Sequence, residues 1–280
     1  MKVAVISDIH ANLPAMTAVS QHIESVKPDC VVVAGDVINR GPQPLECLEW
    51  VLNNVNEKGW RILKGNHEDY VLHASHGTSH LQEWEQKLCA HSLWTANIIH
   101  EYIHTIASWP DHVDIFAPDH SRLTCFHASR RGNRAGLYEF MQDHELLEHL
   151  GSAPPAVCVG HTHIPFIRYL SENLVVNSGA VGMPFDHIPD ASYAVLQWSP
   201  SGWTAEIIRV PYDRKRTEEA YHSTGYLEQG GPMVPLILKE LRDAAPRLGV
   251  WHRRYEKDVS TGRISVEESV DIMIKDTLLV

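Results

Sequence analysis

Five short motifs in this 280-residue chain carry side chains able to bind metal or move protons. They are Asp8-Ile9-His10, Gly35-Asp36, Gly65-Asn66-His67-Glu68, Phe126-His127 and Gly160-His161-Thr162-His163. A mixture of carboxylate, imidazole and amide donors suits borderline divalent cations such as Mn²⁺, Fe²⁺ or Zn²⁺. Each motif alone is common, because Asp, Asn and His also favour turns and helix caps. The ordered set is specific, because each member follows a run that reads as a buried strand. In α/β proteins the carboxyl ends of parallel strands converge on one rim, where ligands bind. Five strand ends would then gather these side chains around one point.

The positioning elements follow from apolar spacing. Lys2 to Ser7, Cys30 to Ala34 and Arg61 to Lys64 read as strands. Between them, Met16, Val19, Ile23 and Val26 mark one amphipathic helix, started at Asn12 and Pro14, and Leu45, Leu48, Leu52 and Val55 mark a second. This alternation predicts βαβ units and a mainly parallel sheet. From Glu68 to about His120 the chain is helix-prone, rich in His and Trp and without a clear strand, which predicts a helical insertion beside the sheet's carboxyl edge. Its eight histidines read as surface or core residues, and Trp84, Trp94 and Trp109 as core anchors. Strands are expected again at Leu123 to Phe126 and Ala156 to Val159, with a helix near Tyr138 to Leu150 between them. Four more strands follow at Ile164 to Leu170, Leu174 to Asn177, Tyr193 to Trp198 and Thr204 to Val210, the last two joined by a turn at Ser201-Gly202. Beyond Asp213 the pattern is helical, and Ser265 with Glu268 forms a capping box for the final helix.

Composition narrows the function classes. The net charge is −11, and a protein that lives on nucleic-acid phosphates usually carries a basic footprint. A nucleic-acid duplex is therefore not the expected partner. No apolar run approaches the ~18 residues of a membrane span, and the apolar stretch at the amino terminus is too short for a secretory signal. Five scattered cysteines without a C-x-x-C pair read as reduced thiols, so the expected location is cytoplasmic.

Taken together, Asp8-x-His10, Gly35-Asp36, Gly65-Asn66-His67-Glu68, His127 and Gly160-His161-x-His163 resemble the motifs of the calcineurin-like metallophosphoesterases. The resemblance covers about residues 1–210, and Asn177-Ser178-Gly179-Ala180-Val181-Gly182 is similar to a segment of the bacterial phosphodiesterase-like branch. It implies an α/β fold, a four-layer αββα sandwich of two mixed β-sheets. To the 1–210 domain would be added the helical insertion at about 68–120 and a helical C-terminal extension, 211–280, packed on the same domain. It implies two divalent ions, Mn²⁺ and/or Fe²⁺/Fe³⁺ foremost, with Zn²⁺ as the other candidate. Asp8, His10, Asp36 and His163 would hold the first, and Asp36, Asn66, His127 and His161 the second. His67 would approach the scissile phosphate as general acid or electrostatic stabiliser. The loop Gly35 to Pro42 resembles that of diadenosine tetraphosphatases and Ser/Thr phosphatases, where the arginine matching Arg40 grips phosphate. Asn39 stands where the protein phosphatases carry an aspartate, and Ala11 where they carry glycine. Asn39 can orient His67 but supplies no counter-charge.

The expected activity is that of a dinuclear metal-dependent phosphoesterase, cleaving a phosphomonoester or phosphodiester of a small phosphorylated substrate by attack of metal-bound hydroxide. Two ions ~3.5–4 Å apart clamp the attacking and leaving oxygens of an in-line displacement. Arg130 and Arg131 would add a positive wall beside His127. Two alternatives stay open at this point. One is a dinucleoside polyphosphate hydrolase or Ser/Thr protein phosphatase, and the other is a non-catalytic scaffold of the same fold. The oligomeric state is not legible.

Overall fold

In the first strand, β1 (Lys2–Ile6), Val3 and Val5 point into one apolar cluster while Ala4 and Ile6 point into another. That period of two places the sheet between two layers. The protein is described here from a computed structural model, which covers residues 1–151 and 154–276. The last four residues of the 211–280 extension lie outside the described residues. In chain order the elements after β1 are α1 (Leu13–Val26), β2 (Cys30–Ala34), α2 (Pro44–Lys58), β3 (Arg61–Leu63), α3 (Asn66–Ser75), α4 (Glu83–Ile98) and α5 (Ile103–Ala107). Next come β4 (His112–Phe116), β5 (Arg122–Phe126), α6 (Asp143–Leu150), β6 (Ala156–Val159), β7 (Phe166–Leu170), β8 (Asn173–Asn177), β9 (Ala191–Ser199) and β10 (Gly202–Val210). Five helices close the chain: α7 (Arg214–Ser223), α8 (Tyr226–Gln229), α9 (Val234–Asp243), α10 (Leu248–Ser260) and α11 (Val266–Lys275).

The strands form two five-stranded sheets, ordered β10-β9-β1-β2-β3 and β4-β5-β6-β8-β7. Each is parallel at its centre and antiparallel toward its edges: β1-β2-β3 and β5-β6-β8 run parallel, while β9, β10, β4 and β7 join antiparallel. The sheets are therefore mixed. Their inner faces meet in one core, where Val3, Val5 and Val32 pack with Leu123, Cys125, Cys158 and Val176. The outer face of the first sheet is covered by α1 and α2 through Met16, Val19, Leu48 and Val51. The outer face of the second is covered by α6 through Leu146 and Leu150. The order helix, sheet, sheet, helix is the four-layer sandwich expected from the motifs.

Local chemistry explains several boundaries. Asn12 caps α1, its side chain accepting from the Ala15 N–H. Ser265 and Glu268 close the capping box of α11. The β9-β10 hairpin turns at Ser199 to Gly202.

Two sequence expectations need correction. The 68–120 region is not purely helical, because β4 lies within it and pairs antiparallel with β5 as an edge strand. Only Val113 and Ile115 of that strand face the core, and so short an alternation is hard to distinguish from a loop. The helix expected from Tyr138 begins only at Asp143. Gln142 is extended, and its N–H is accepted by Glu145, so the capping geometry fixes a later start.

Helices α7 to α11 bury their own apolar cluster, centred on Trp251, Tyr226, Ile237 and Leu241. Trp84 and Trp94 of α4 pack against it, so the insertion and the extension share an apolar seam, while Trp109 is buried under the first sheet. No helix among the described residues is long and apolar enough to cross a membrane. All five cysteines are free thiols.

Candidate metal centre

The carboxyl ends of β1, β2 and β6 each release the chain into a sharp turn, while β3 leads through Gly65 into α3 and β5 into His127. Asp8, His10, Asp36, Asn39, Arg40, His161 and His163 all take positive φ, between 47° and 71°. Such conformations cost ~1–3 kcal/mol each in a non-glycine residue and persist where the surroundings impose them. Gly35 is needed for a different reason. Its φ is +85°, and a Cβ there would lie 2.6 Å from the Gly65 nitrogen and 2.9 Å from His127 Nδ1.

Three buried histidines are oriented in the same manner. His10 Nδ1 lies 3.2 Å from the Asn39 carbonyl oxygen, His127 Nδ1 2.9 Å from that of Ala34, and His163 Nδ1 2.6 Å from that of Met183. A carbonyl only accepts, so each Nδ1 carries a proton and Nε2 is the ring atom turned inward, the atom a cation would engage. Those Nε2 atoms crowd against one another and against carboxylate and amide oxygens. His163 Nε2 is 3.1 Å from His10 Nε2 and 3.2 Å from Asp8 Oδ1. His127 Nε2 is 3.3 Å from Asp36 Oδ2 and 2.8 Å from Asn66 Oδ1. His161 Nδ1 reaches the same Asn66 oxygen at 2.8 Å.

The carboxylates complete the pattern. Asp8 Oδ2 accepts the His161 N–H and Asp36 Oδ1 accepts the His67 N–H. Asp8 Oδ1 and Asp36 Oδ2 are buried without any hydrogen-bond donor. An unpartnered buried carboxylate oxygen is costly, and a cluster of acceptors facing one another is stable when a cation lies among them. Asp8, His10, Asp36 and His163 present ligand atoms within 4.8 Å of one another. Asp36 Oδ2 also stands 3.7 Å from His10 and 3.3 Å from His127, between that group and the Asn66-His127-His161 group. The donor set thus fits divalent metal. A histidine whose outer ring nitrogen is held by a carbonyl is the usual support for a ligating imidazole.

Electrostatics follow the same arrangement. Burial opposes the Asp8 and Asp36 carboxylates, yet neighbouring histidines, His163 for Asp8 and His127 for Asp36, hold both below the usual range. Burial lowers His10 to about 3 and His161 to about 4, helped by His163 and His127 respectively. Burial acts on His127 in the same sense, but Asp36 outweighs it and raises the ring to about 10.

The motif residue Glu68, quoted in the sequence without a role, proves structural. Its buried carboxylate accepts from the backbone N–H groups of Gly65, Asp36, Val37 and Ile38, which ties the ends of β2 and β3 together. His67, beside it, is buried and lies edge-on to His10, with ring centroids 4.9 Å apart. Asn39 Nδ2 donates to His67 Nδ1 at 3.1 Å and to Ser92 Oγ at 2.9 Å, while Asn39 Oδ1 accepts from the Arg40 N–H and from His91 Nδ1 at 3.0 Å. His91 and Ser92 belong to the insertion, and nothing in their spacing along α4 distinguishes them from its other polar residues.

Arg40 is buried and forms a 2.6 Å ion pair with Glu240 of α9, while its Nε lacks a partner. Arg131 lies on the surface against Glu148. Arg130 lines a cavity of about 550 Å³ that touches His127. Arg134, which follows the same turn, sits over the Tyr70 ring. A second cavity, about 410 Å³, opens beside Asn66, His67 and Arg40.

Residues 1–200 match the model of the calcineurin-like phosphoesterase superfamily domain. An uncharacterized protein of Methanocaldococcus jannaschii is 29% identical over 233 residues, which is 78% of this chain and 90% of that protein. A symmetrical bis(5'-nucleosyl)-tetraphosphatase of Stutzerimonas stutzeri is 30% identical over 79 residues, 28% of each chain. Among solved structures, a metallophosphoesterase from Sphaerobacter thermophilus superposes with a TM-score of 0.65 at 25% identity, covering 88% of this chain and all of that one. With a matching domain over more than two-thirds of its length and a buried Asp/His cluster at the expected strand ends, the chain belongs to the calcineurin-like phosphoesterase superfamily.

Proposed function

We propose that the chain is a phosphoesterase that holds two divalent cations and hydrolyses a small phosphate ester. The carrying observation is the set of three carbonyl-anchored histidines whose Nε2 atoms face carboxylate oxygens left without donors. Asp8, His10, Asp36 and His163 would hold one cation, and Asn66, His127 and His161 the other, with Asp36 common to both. Mn²⁺ or iron fits this oxygen and nitrogen set best, with Zn²⁺ as the alternative. When bound, such a pair acidifies water and neutralises phosphoryl charge.

The chain's own groups then position the ester. Because Asn39 donates to its Nδ1, His67 carries its proton on Nε2 and presents that donor to the leaving oxygen. Arg40, held in place by Glu240, keeps its Nε for a phosphate oxygen. Arg130 adds positive potential near His127, and Arg131 acts only through its longer-range field. A scaffold of this fold has no need of inward-facing, unpaired ligands. The short match to the tetraphosphatase favours a second reading, hydrolysis of a dinucleoside polyphosphate.

The test strips the protein with chelator, reloads it with Mn²⁺, Fe²⁺ or Zn²⁺, and assays aryl phosphate mono- and diesters alongside metal analysis. Two equivalents of metal and metal-dependent turnover are expected. Absence of turnover with every metal would defeat the reading.

A further inference from the structure

The 410 Å³ cavity is bounded by three separate parts of the chain. Asn66 and His67 form its inner end, so it is continuous with the candidate metal centre. Ala74 of α3 and Leu88 of α4 line one side, with Leu81 between those helices, and Met233 and Leu248 of the extension line the other. Most of the surface it exposes is carbon, although His73, Thr78, His91, Ser92 and His252 also contribute to the lining. Among the described residues it includes no lysine and one arginine, Arg40, whose charge is already balanced by Glu240.

Resting on the phosphoesterase reading, we infer that this cavity receives the leaving group, and that the substrate is a small phosphate ester of an uncharged, largely apolar alcohol. The direction of departure supports this assignment. In an in-line displacement the leaving oxygen exits opposite the attacking one, toward His67, and His67 opens onto this cavity. Apolar walls reward burial of carbon and penalise hydroxyl or phosphate groups left without partners. A polyphosphate leaving group would bring several negative charges against one permanently charged side chain, Arg40, which Glu240 already balances, and otherwise only neutral donors and imidazoles. The other cavity is no better suited to that role: Asp69, Asp111 and Asp114 line it against Arg122 and Arg130, and its Arg122 pairs with Asp114.

The experiment compares esters of matched leaving-group type. Cyclohexylmethyl phosphate and glucose 6-phosphate are both primary alkyl monoesters with a six-membered ring, and they differ chiefly in polarity. Diadenosine tetraphosphate is the charged third substrate. With the manganese-loaded protein, kcat/KM should be at least tenfold higher for the cyclohexylmethyl ester than for either of the others. Leu81→Arg, at a half-buried position on the rim, should weaken binding of a non-hydrolysable cyclohexyl phosphonate at least tenfold by calorimetry. Metal content and binding of inorganic phosphate should stay at wild-type levels. Thr78→Arg on the same rim is the second variant should Leu81→Arg misfold. Preference for glucose 6-phosphate or for the polyphosphate would overturn the inference and leave the phosphoesterase reading standing. So would unchanged phosphonate binding in both variants. Failure to hydrolyse any of the three with metal bound would overturn both.

Discussion

At the residue scale the histidines divide by what holds Nδ1. In His10, His127 and His163 a carbonyl fixes the proton on Nδ1 and frees Nε2 to bind metal. In His67 an amide N–H donates to Nδ1 and leaves the proton on Nε2. The first arrangement makes ligands and the second makes a donor. Replacing His67 with Gln should therefore lower kcat by roughly 10²–10⁴-fold while metal analysis still finds two equivalents. Asp36→Asn should do the reverse and deplete both sites, since one side chain is proposed to serve both. Two retained equivalents in that variant would refute the shared role. His91 adds a pH dependence of its own. Burial, assisted by Arg40 and His252, lowers this ring to about 3 in the folded chain, whereas an unfolded histidine titrates near 6.5. Between those values the unfolded state binds the extra proton. Acidification below pH 6.5 then erodes stability by at most ~1.4 kcal/mol per pH unit, whereas above pH 6.5 both states are deprotonated and the dependence on pH vanishes. Because His10 and His161 are lowered as well, urea unfolding at pH 7, 6 and 5 should give a slope in His91→Gln that is shallower than in the wild type by up to that amount.

At the scale of elements, the loops after β2 and β3 are held by one carboxylate. Glu68 accepts four backbone N–H groups, and those loops carry Asp36, Asn39, Asn66 and His67. An amide in its place would turn a donor toward at least one of those N–H groups. Glu68→Gln is expected to cost ~1–3 kcal/mol, read as a lower urea midpoint, together with reduced metal occupancy. An unchanged midpoint would mean that the turns hold themselves. This carboxylate also marks where sequence stops being informative. The strands and their polar ends were legible because buried parallel strands are continuous apolar runs, and Asp8, Asp36, Asn66, His127, His161 and His163 interrupt those runs abruptly. Glu68 stood in a quoted motif, but its partners are main-chain groups, which leave no mark in a sequence. β4 escaped notice because an edge strand with two core residues has almost no period to detect. His91 and Ser92 escaped because a polar helix face looks the same whether it meets water or the Asn39 side chain.

At the scale of the whole molecule, the extension reaches the site through a buried ion pair spanning 200 positions, Arg40 to Glu240. Glu240 does more than balance Arg40. Its other oxygen accepts the N–H groups of Arg247 and Leu248, which turn the chain from α9 into α10. Arg40, for its part, lies in the loop that Asn39 links to His67, and its carbonyl accepts from Tyr221 of α7. Loosening the extension should therefore loosen the loop that presents Arg40 and Asn39. Removing one partner of a buried pair leaves an uncompensated charge and typically costs ~3–5 kcal/mol. Glu240→Ala should lower global stability on that order, and native-state hydrogen exchange should show amides of α9 and of residues 37–40 losing protection together. Arg40→Ala should be milder, because Glu240 keeps its two N–H donors. The double variant should fall short of the sum of the single effects, as expected for groups in direct contact. If the loop amides kept wild-type protection while α9 exchanged faster, the extension would be a separately opening unit, and the cavity between it and the insertion would open without disturbing His67.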